Sequence, residues 1–178
     1  MSRQSQTEVA VLGALSVEPM SGYAVRRAIA ETLGHFWSES FGQIYPTLAR
    51  LEADGLVTPD SAGRTSGSTY RLTAAGRRRL ADLLREPIPS APPRNGTLLR
   101  LFFGAVLGPE RCTDLVRDAR DSALESLATM SAIRAEVERD ADPNAAYWLI
   151  TVSAGEHAAR AQLAWAEESL AMLAGLPD

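Results

Sequence analysis

Apolar residues recur at helical spacing through most of this chain, and at strand spacing in only two short runs. Val11, Leu12 and Leu15 share one helical face behind Ser5-Gln6-Thr7-Glu8, whose S-x-x-E spacing is that of a capping box, so a first helix is expected over about residues 6–16. Glu18-Pro19-Met20 reads as a connector. Ser21 then caps a second helix with Val25, Ala28, Ile29 and Leu33 inward, and Met20 and Val25 are spaced to staple across that cap. Gly34 to Glu39 reads as a turn, with His35, Phe36 and Trp37 packing beneath it. Ile44, Leu48 and Leu51 at i, i+4 and i+7 draw a third helix, and Gly55 marks its left-handed stop. Leu56-Val57-Thr58 and Thr69 to Leu72 are β-prone runs on either side of turn formers, which predicts a hairpin. Thr73 follows as the cap of a helix with Leu80, Leu83 and Leu84 inward and Arg77-Arg78-Arg79 mostly outward.

The second half carries longer repeats. Prolines at 87, 89, 92 and 93 make 87–96 a linker between a domain at 1–86 and one at 97–178. Thr97 is placed to cap a short apolar helix through Phe102 and Phe103, and Gly108-Pro109 opens a long one, with proline at its first helical position. Val116, Ala123, Met130 and Val137 recur every seven residues. Behind Asp142-Pro143, a last helix has Leu149, Val152, Glu156, Ala159, Leu163, Ala166, Leu170 and Leu173 at alternating spacings of three and four. These two seams are expected to pack on each other and on another subunit. Leu149, Val152, Ala159, Leu163, Ala166, Leu170 and Leu173 are therefore the expected dimer interface. Glu156 is the one charge in that seam, either buried with a partner or at an edge open to water.

The third helix also has a readable outer face. At about 100° per residue, the arc opposite the apolar stripe holds Pro46, Ala49 and Ala53, flanked on one side by Gln43, Thr47 and Arg50. Small residues let a helix lie close to another surface, and Gln, Thr and Arg can bond base edges or phosphates in a major groove. An ordinary solvated face is the plain alternative. Ser40-x-x-Gln43 also has capping-box spacing, which would turn Gln43 back to the cap, but Pro46 belongs in a first turn and sets the helix start near Gln43. Ser40, Gln43 and Tyr45 then form its leading end, the part of a recognition helix that meets bases. Arg64, at the hairpin tip, is the expected wing contact.

Gly42-Gln43-Ile44-Tyr45-Pro46 with Leu48, Arg50-Leu51-Glu52, Gly55-Leu56-Val57 and Tyr70-Arg71-Leu72-Thr73-Ala74-Ala75-Gly76-Arg77 resembles the signature of the PadR family of transcriptional regulators. The resemblance covers about residues 7–85 densely, and Leu98-Leu99-Arg100-Leu101-Phe102-Phe103-Gly104 onward is similar to that family's C-terminal helical region. It implies a mostly α fold with a small β-hairpin wing: an N-terminal winged helix-turn-helix and a C-terminal helical dimerisation domain. It also implies a homodimer that binds operator DNA, in the sense of a repressor relieved by a small effector, with aromatic compounds the expected class. Ser21 and Tyr23 are implied to lie near the DNA backbone, and Arg71 joins the DNA-facing set with Ser40, Gln43, Tyr45, Pro46, Thr47, Arg50 and Arg64. Phe102, Phe103 and Trp148 supply flat apolar surface for the effector.

Composition trims the alternatives. The chain of 178 residues has a formal net charge of −4, which disfavours a protein that coats nucleic acid nonspecifically. That acidity is uneven: residues 1–86 carry ten Arg against nine Asp plus Glu, and residues 95–178 seven against thirteen. With one cysteine, Cys112, and two histidines, neither an internal disulfide nor a zinc site is expected. No phosphate-binding glycine loop, HExxH or CxxC is present, so no catalytic residues, metal or cofactor are expected. No stretch has the length of a membrane span and the first seven residues do not read as a secretory signal, so a soluble cytoplasmic protein is expected. The competing function is a winged-helix adaptor that contacts proteins without specific DNA binding.

Overall fold

The computed structural model describes residues 3–33, 41–60, 69–88, 95–139 and 141–176. It divides into two compact units, Met1–Ala91 and Pro92–Asp178. Ser40, Arg64, the 34–39 turn and the prolines at 89, 92 and 93 lie outside the described residues.

In the first unit α1 (Arg3–Val17) is followed by a two-residue strand β1 (Met20–Ser21), α2 (Gly22–Ala28) and one π-helical turn (Ile29–Leu33). A single 3₁₀ turn (Phe41–Gln43) leads into α3 (Ile44–Ala53). Strands β2 (Val57–Asp60) and β3 (Thr69–Leu72) precede α4 (Ala74–Arg85). The strands form an antiparallel sheet in the order β1-β3-β2, with Val57 opposite Leu72 and Met20 opposite Tyr70. Strand β1 is a difference from the sequence expectation: two residues carry no alternation to read, and their pairing comes from β3.

Leu12 and Leu15 of α1, Val25 of α2, Ile44, Leu48 and Leu51 of α3, Val57, Leu72, and Leu80 and Leu83 of α4 make one core. Each large aliphatic side chain withdrawn there contributes about 1.5–3 kcal/mol, which holds helices of seven to fifteen residues that would not persist alone. Leu84, expected inward, is exposed, because α4 lays only a narrow stripe on α1.

The ends of α3 are defined by local bonds. Pro46 sits in the first turn, where its missing N–H has no partner to lose. At the other end Gly55 takes φ +68°, with Leu56 N–H donating to the Leu51 carbonyl at 2.8 Å and Gly55 N–H to Glu52 at 3.0 Å, a Schellman closure. Thr73 Oγ1 accepts from Gly76 N–H at 3.0 Å and caps α4. Gly76 is required there, since a Cβ would run into the Leu56 carbonyl oxygen. The capping box expected at Ser5 does not form: α1 begins at Arg3, and the Glu8 carboxylate is engaged elsewhere.

The second unit begins with α5 (Gly96–Phe102) and α6 (Gly104–Leu107), followed by a long hairpin of α7 (Pro109–Arg139) and α8 (Ala145–Ala174). Asn95, rather than Thr97, caps α5: its Oδ1 accepts from Thr97 N–H at 2.9 Å and Leu98 N–H at 3.0 Å. Val116, Ala123 and Met130 of α7 are buried on the side that meets Val152, Glu156, Ala159 and Ala166 of α8. Gly155 lets Met130 in, since a Cβ there would stand 2.7 Å from its sulfur.

Candidate nucleic-acid interface

The third helix presents its outer face to solvent as its periodicity demands. Gln43, Tyr45, Pro46 and Ala49 are exposed, while Ile44, Leu48 and Leu51 are buried. Thr47 was expected on the polar edge, and this is corrected: it is only 5% exposed, lying on the inward side next to the Ile44–Leu51 stripe. A wheel angle of about 60° from the stripe is within the arc the core covers.

Gly22 brings a second element to this face. A Cβ on it would stand 2.8 Å from Tyr45 Cε1 and 3.3 Å from Leu48 Cδ1, so α2 starts directly against the leading end of α3. Ser21 caps α2, its hydroxyl accepting from Ala24 N–H at 3.1 Å. Tyr23 is 63% exposed and Tyr45 52% exposed, so two phenol rings and the exposed Gln43 are available at neighbouring helix starts. Arg71 lies on the exposed side of β3, where it donates to Asp60 at 3.1 Å across the strand pair.

Arg50 stands on the flank the periodicity gives it, yet its guanidinium is turned inward. Its Nη2 donates to Glu8 Oε2 at 2.9 Å, and its Nη1 lies 3.8 Å from Asp54. Arg79 is exposed like Arg77 and Arg78, yet it donates from Nε to Glu8 Oε1 at 2.8 Å. The Glu8 side chain is 5% exposed. Burial pushes its carboxyl up, but hydrogen bonds from Arg79 and Arg50, together with their charges, outweigh that and hold it below the usual carboxylate range. Sequence periodicity does not reveal this three-residue ionic cluster across α1, α3 and α4. Its one signal is a carboxylate two residues ahead of a buried apolar run.

The second unit bears on two expectations. Leu149, Val152, Ala159, Leu163, Ala166, Leu170 and Leu173 were expected to pack on α7 and on a second chain; Val152, Ala159 and Ala166 are buried, and Leu149, Leu163, Leu170 and Leu173 half-buried, on the stripe that meets α7 of the same chain. The opposite side of α8 is apolar or small apart from Glu168: Tyr147, Ile150, Ala154, Ala158, Ala161 and Met172 are exposed. Phe102, Phe103 and Trp148 do not line one pocket within the chain. Phe102 and Phe103 stack edge to face at 5.2 Å, beside the start of α7 where Cys112 meets Gly104. Trp148 is on the first turn of α8, and with Met130 against Gly155 the hairpin register sets it opposite the end of α7. At 1.5 Å per residue the two places are roughly 35–40 Å apart. Among the described residues no group of three or more His, Cys, Asp or Glu is placed to hold a metal, and no helix is long and apolar enough to cross a membrane.

A short helix bundle with an antiparallel β2–β3 pair, successive helices α2 and α3 of which the second exposes its leading end, and a second unit built on a helical hairpin define a winged helix-turn-helix fold with a C-terminal helical domain. Residues 11–82 match the family model described as Transcriptional regulator PadR-like family, and residues 93–174 match Virulence activator alpha C-term. These matches support a PadR-family transcriptional regulator, and the relatives that follow are transcriptional regulators. The chain is 29% identical over 175 residues to the negative transcriptional regulator PadR of Bacillus subtilis, covering 92% of this chain and 95% of that one. The crystal structure of that PadR in complex with operator DNA superposes with a TM-score of 0.78 at 26% identity, covering 93% of this chain and 98% of that chain. The same protein in complex with p-coumaric acid gives 0.74 at 26% identity over 93% and 97%. The PadR-like regulator BC1756 of Bacillus cereus shares the fold with a TM-score of 0.81 at 23% identity, over 94% of this chain and 97% of that one.

Proposed function

We propose that this regulator binds a two-fold symmetric operator as a homodimer and acts as a repressor that a small aromatic molecule releases. The observation that carries the reading is the exposed leading end of α3, with Gln43, Tyr45 and Pro46 beside the start of α2. A glutamine amide can pair bidentately with adenine, and proline and alanine surface suits the thymine methyl. Ser21, Tyr23 and Arg71 are then the backbone contacts, together with Arg64 from the segment that links β2 to β3 in the sequence. Repression and small-molecule release are supported by the relative that is a negative regulator and has been captured with operator DNA and with p-coumaric acid.

Selection from a pool of randomised duplexes tests the DNA reading. The expected product is a symmetric site with half-sites about one helical turn apart. Gln43→Ala and Tyr45→Ala should each weaken binding to it, by about 1–3 kcal/mol for a residue that reads a base bidentately. A folded protein that enriches no sequence would sink the proposal. Titrating the selected complex with hydroxycinnamic acids checks the effector: release by an aromatic acid and not by an aliphatic one of equal charge is the expected result.

A further inference from the structure

We propose that Glu8 is a specificity-determining residue of the DNA-binding unit, because it holds the Arg50 guanidinium away from phosphates and so lowers the sequence-independent part of the affinity. The inference rests on the DNA-binding reading above. Gln43 and Arg50 are seven residues apart on α3 and therefore share a flank, so an arginine at position 50 in an outward rotamer would stand two turns behind the glutamine at the DNA. The observed rotamer does otherwise. Arg50 is 33% exposed, its Nη2 is bonded to a carboxylate that is itself 5% exposed, and its Nη1 faces Asp54 at 3.8 Å.

Two geometric facts make this more than an incidental surface pair. The carboxylate uses one oxygen for each arginine, Oε2 for Arg50 at 2.9 Å and Oε1 for Arg79 at 2.8 Å, so Arg79 fixes the plane in which Glu8 receives Arg50. The cluster also joins three helices, so an arginine that swings out leaves one oxygen of a buried carboxylate without its donor. Charge balance gives it a purpose. Residues 1–86 have only one more arginine than they have carboxylates, and every arginine that reaches a phosphate tightens the hold on any duplex, whatever its sequence. A unit that neutralises Arg50 internally leaves recognition to Gln43, Tyr45 and Pro46, which raises the ratio of specific to nonspecific binding.

The test uses the full chain and a 30-bp duplex of random sequence, about three helical turns, with affinity measured across a salt series. Glu8→Gln keeps the shape of Glu8 and removes its charge. It is expected to steepen the dependence of log K on log salt by about 0.9 per bound chain, the signature of one more neutralised phosphate. Glu8→Gln with Arg50→Gln should return the slope to the wild-type value, whereas Glu8→Gln with Arg79→Gln should stay steep. Arg50→Gln alone should match the wild type. A Glu8→Gln protein with native circular dichroism and an unchanged slope overturns the proposal, and so does Arg50→Gln lowering the slope by about 0.9. Should Glu8→Gln fail to fold, the Arg50→Gln slope decides by itself. A wild-type chain that binds neither this duplex nor any selected sequence removes the DNA-binding reading instead, and the inference with it.

Discussion

Glu8 makes the stability of the small unit depend on pH in a direction its neighbours fix. Its folded-state pKa lies below the ordinary value, because Arg79 and Arg50 outweigh the burial that pushes it up. The unfolded chain therefore binds a proton more readily than the folded one, and the stabilisation is fully present above the ordinary carboxylate range. It is lost as pH falls through about 4.3 towards the lower folded value. Urea midpoints measured against pH should accordingly separate wild type from Glu8→Gln at neutrality and converge in acid. A gap that persists at the acid end would assign the difference to packing and not to charge. Glu8→Ala, which strands two partly exposed arginines and opens a void, should cost about 2 kcal/mol at neutral pH, towards the lower end for a buried pair because water reaches both guanidiniums.

At the scale of elements, the α7–α8 hairpin is held in register by a polar cluster in an apolar seam. Arg134 grips Glu156 with two bonds, Nε to Oε1 at 2.8 Å and Nη2 to Oε2 at 3.2 Å, and Arg160 adds a third at 3.2 Å from one turn along. Hydrogen bonding from Arg134 outweighs burial and holds the Glu156 carboxyl below its usual range. Sliding either helix by a turn would leave that carboxylate without Arg134. Arg134→Met should therefore lower the melting temperature, and Arg134→Met with Glu156→Leu should recover it, since replacing a whole buried pair costs less than breaking one. A double variant no better than the single one would show that the pair itself supplies the stability. The seam was legible as a seven-residue repeat, and the end of α3 from Gly55, because periodicity and left-handed glycines are local signals. Glu156 was visible as an anomaly, but its partner lies 22 residues away on another helix, a separation no local pattern encodes. Strand β1 and the inward turn of Arg50 escaped for the same reason, each being decided by what the rest of the chain brings to it, whereas the Asn95 cap is local: Asn95 and Thr97 are both capping residue types two positions apart, and either could start the helix.

For the whole molecule, the homodimer proposed above raises the question of which side of α8 would meet a second chain. A helix that is apolar on two sides needs two neighbours, and α7 provides one. The side carrying Leu149, Leu163 and Leu170 is the one α7 covers, whereas Tyr147 and Ile150 are 71% and 67% exposed and Ala154, Ala158 and Ala161 continue their stripe. Small residues in its middle allow a partner helix to approach closely, with Tyr147, Ile150 and Met172 available to bury area at the ends. The two sides predict different failures. Leu163→Asp puts an unpaired charge between α7 and α8, so it should unfold the hairpin and lower helical circular dichroism. Ala158→Asp puts a charge on the outer stripe, so it should leave helicity and melting nearly intact while shifting the sedimentation coefficient to that of a monomer. Operator affinity should then fall steeply, because one winged helix reads a single half-site and the two half-sites of a dimer multiply their binding constants. Sedimentation and gel shift on the same preparations decide between the sides: an Ala158→Asp protein that remains dimeric and binds like wild type would move the interface off this stripe.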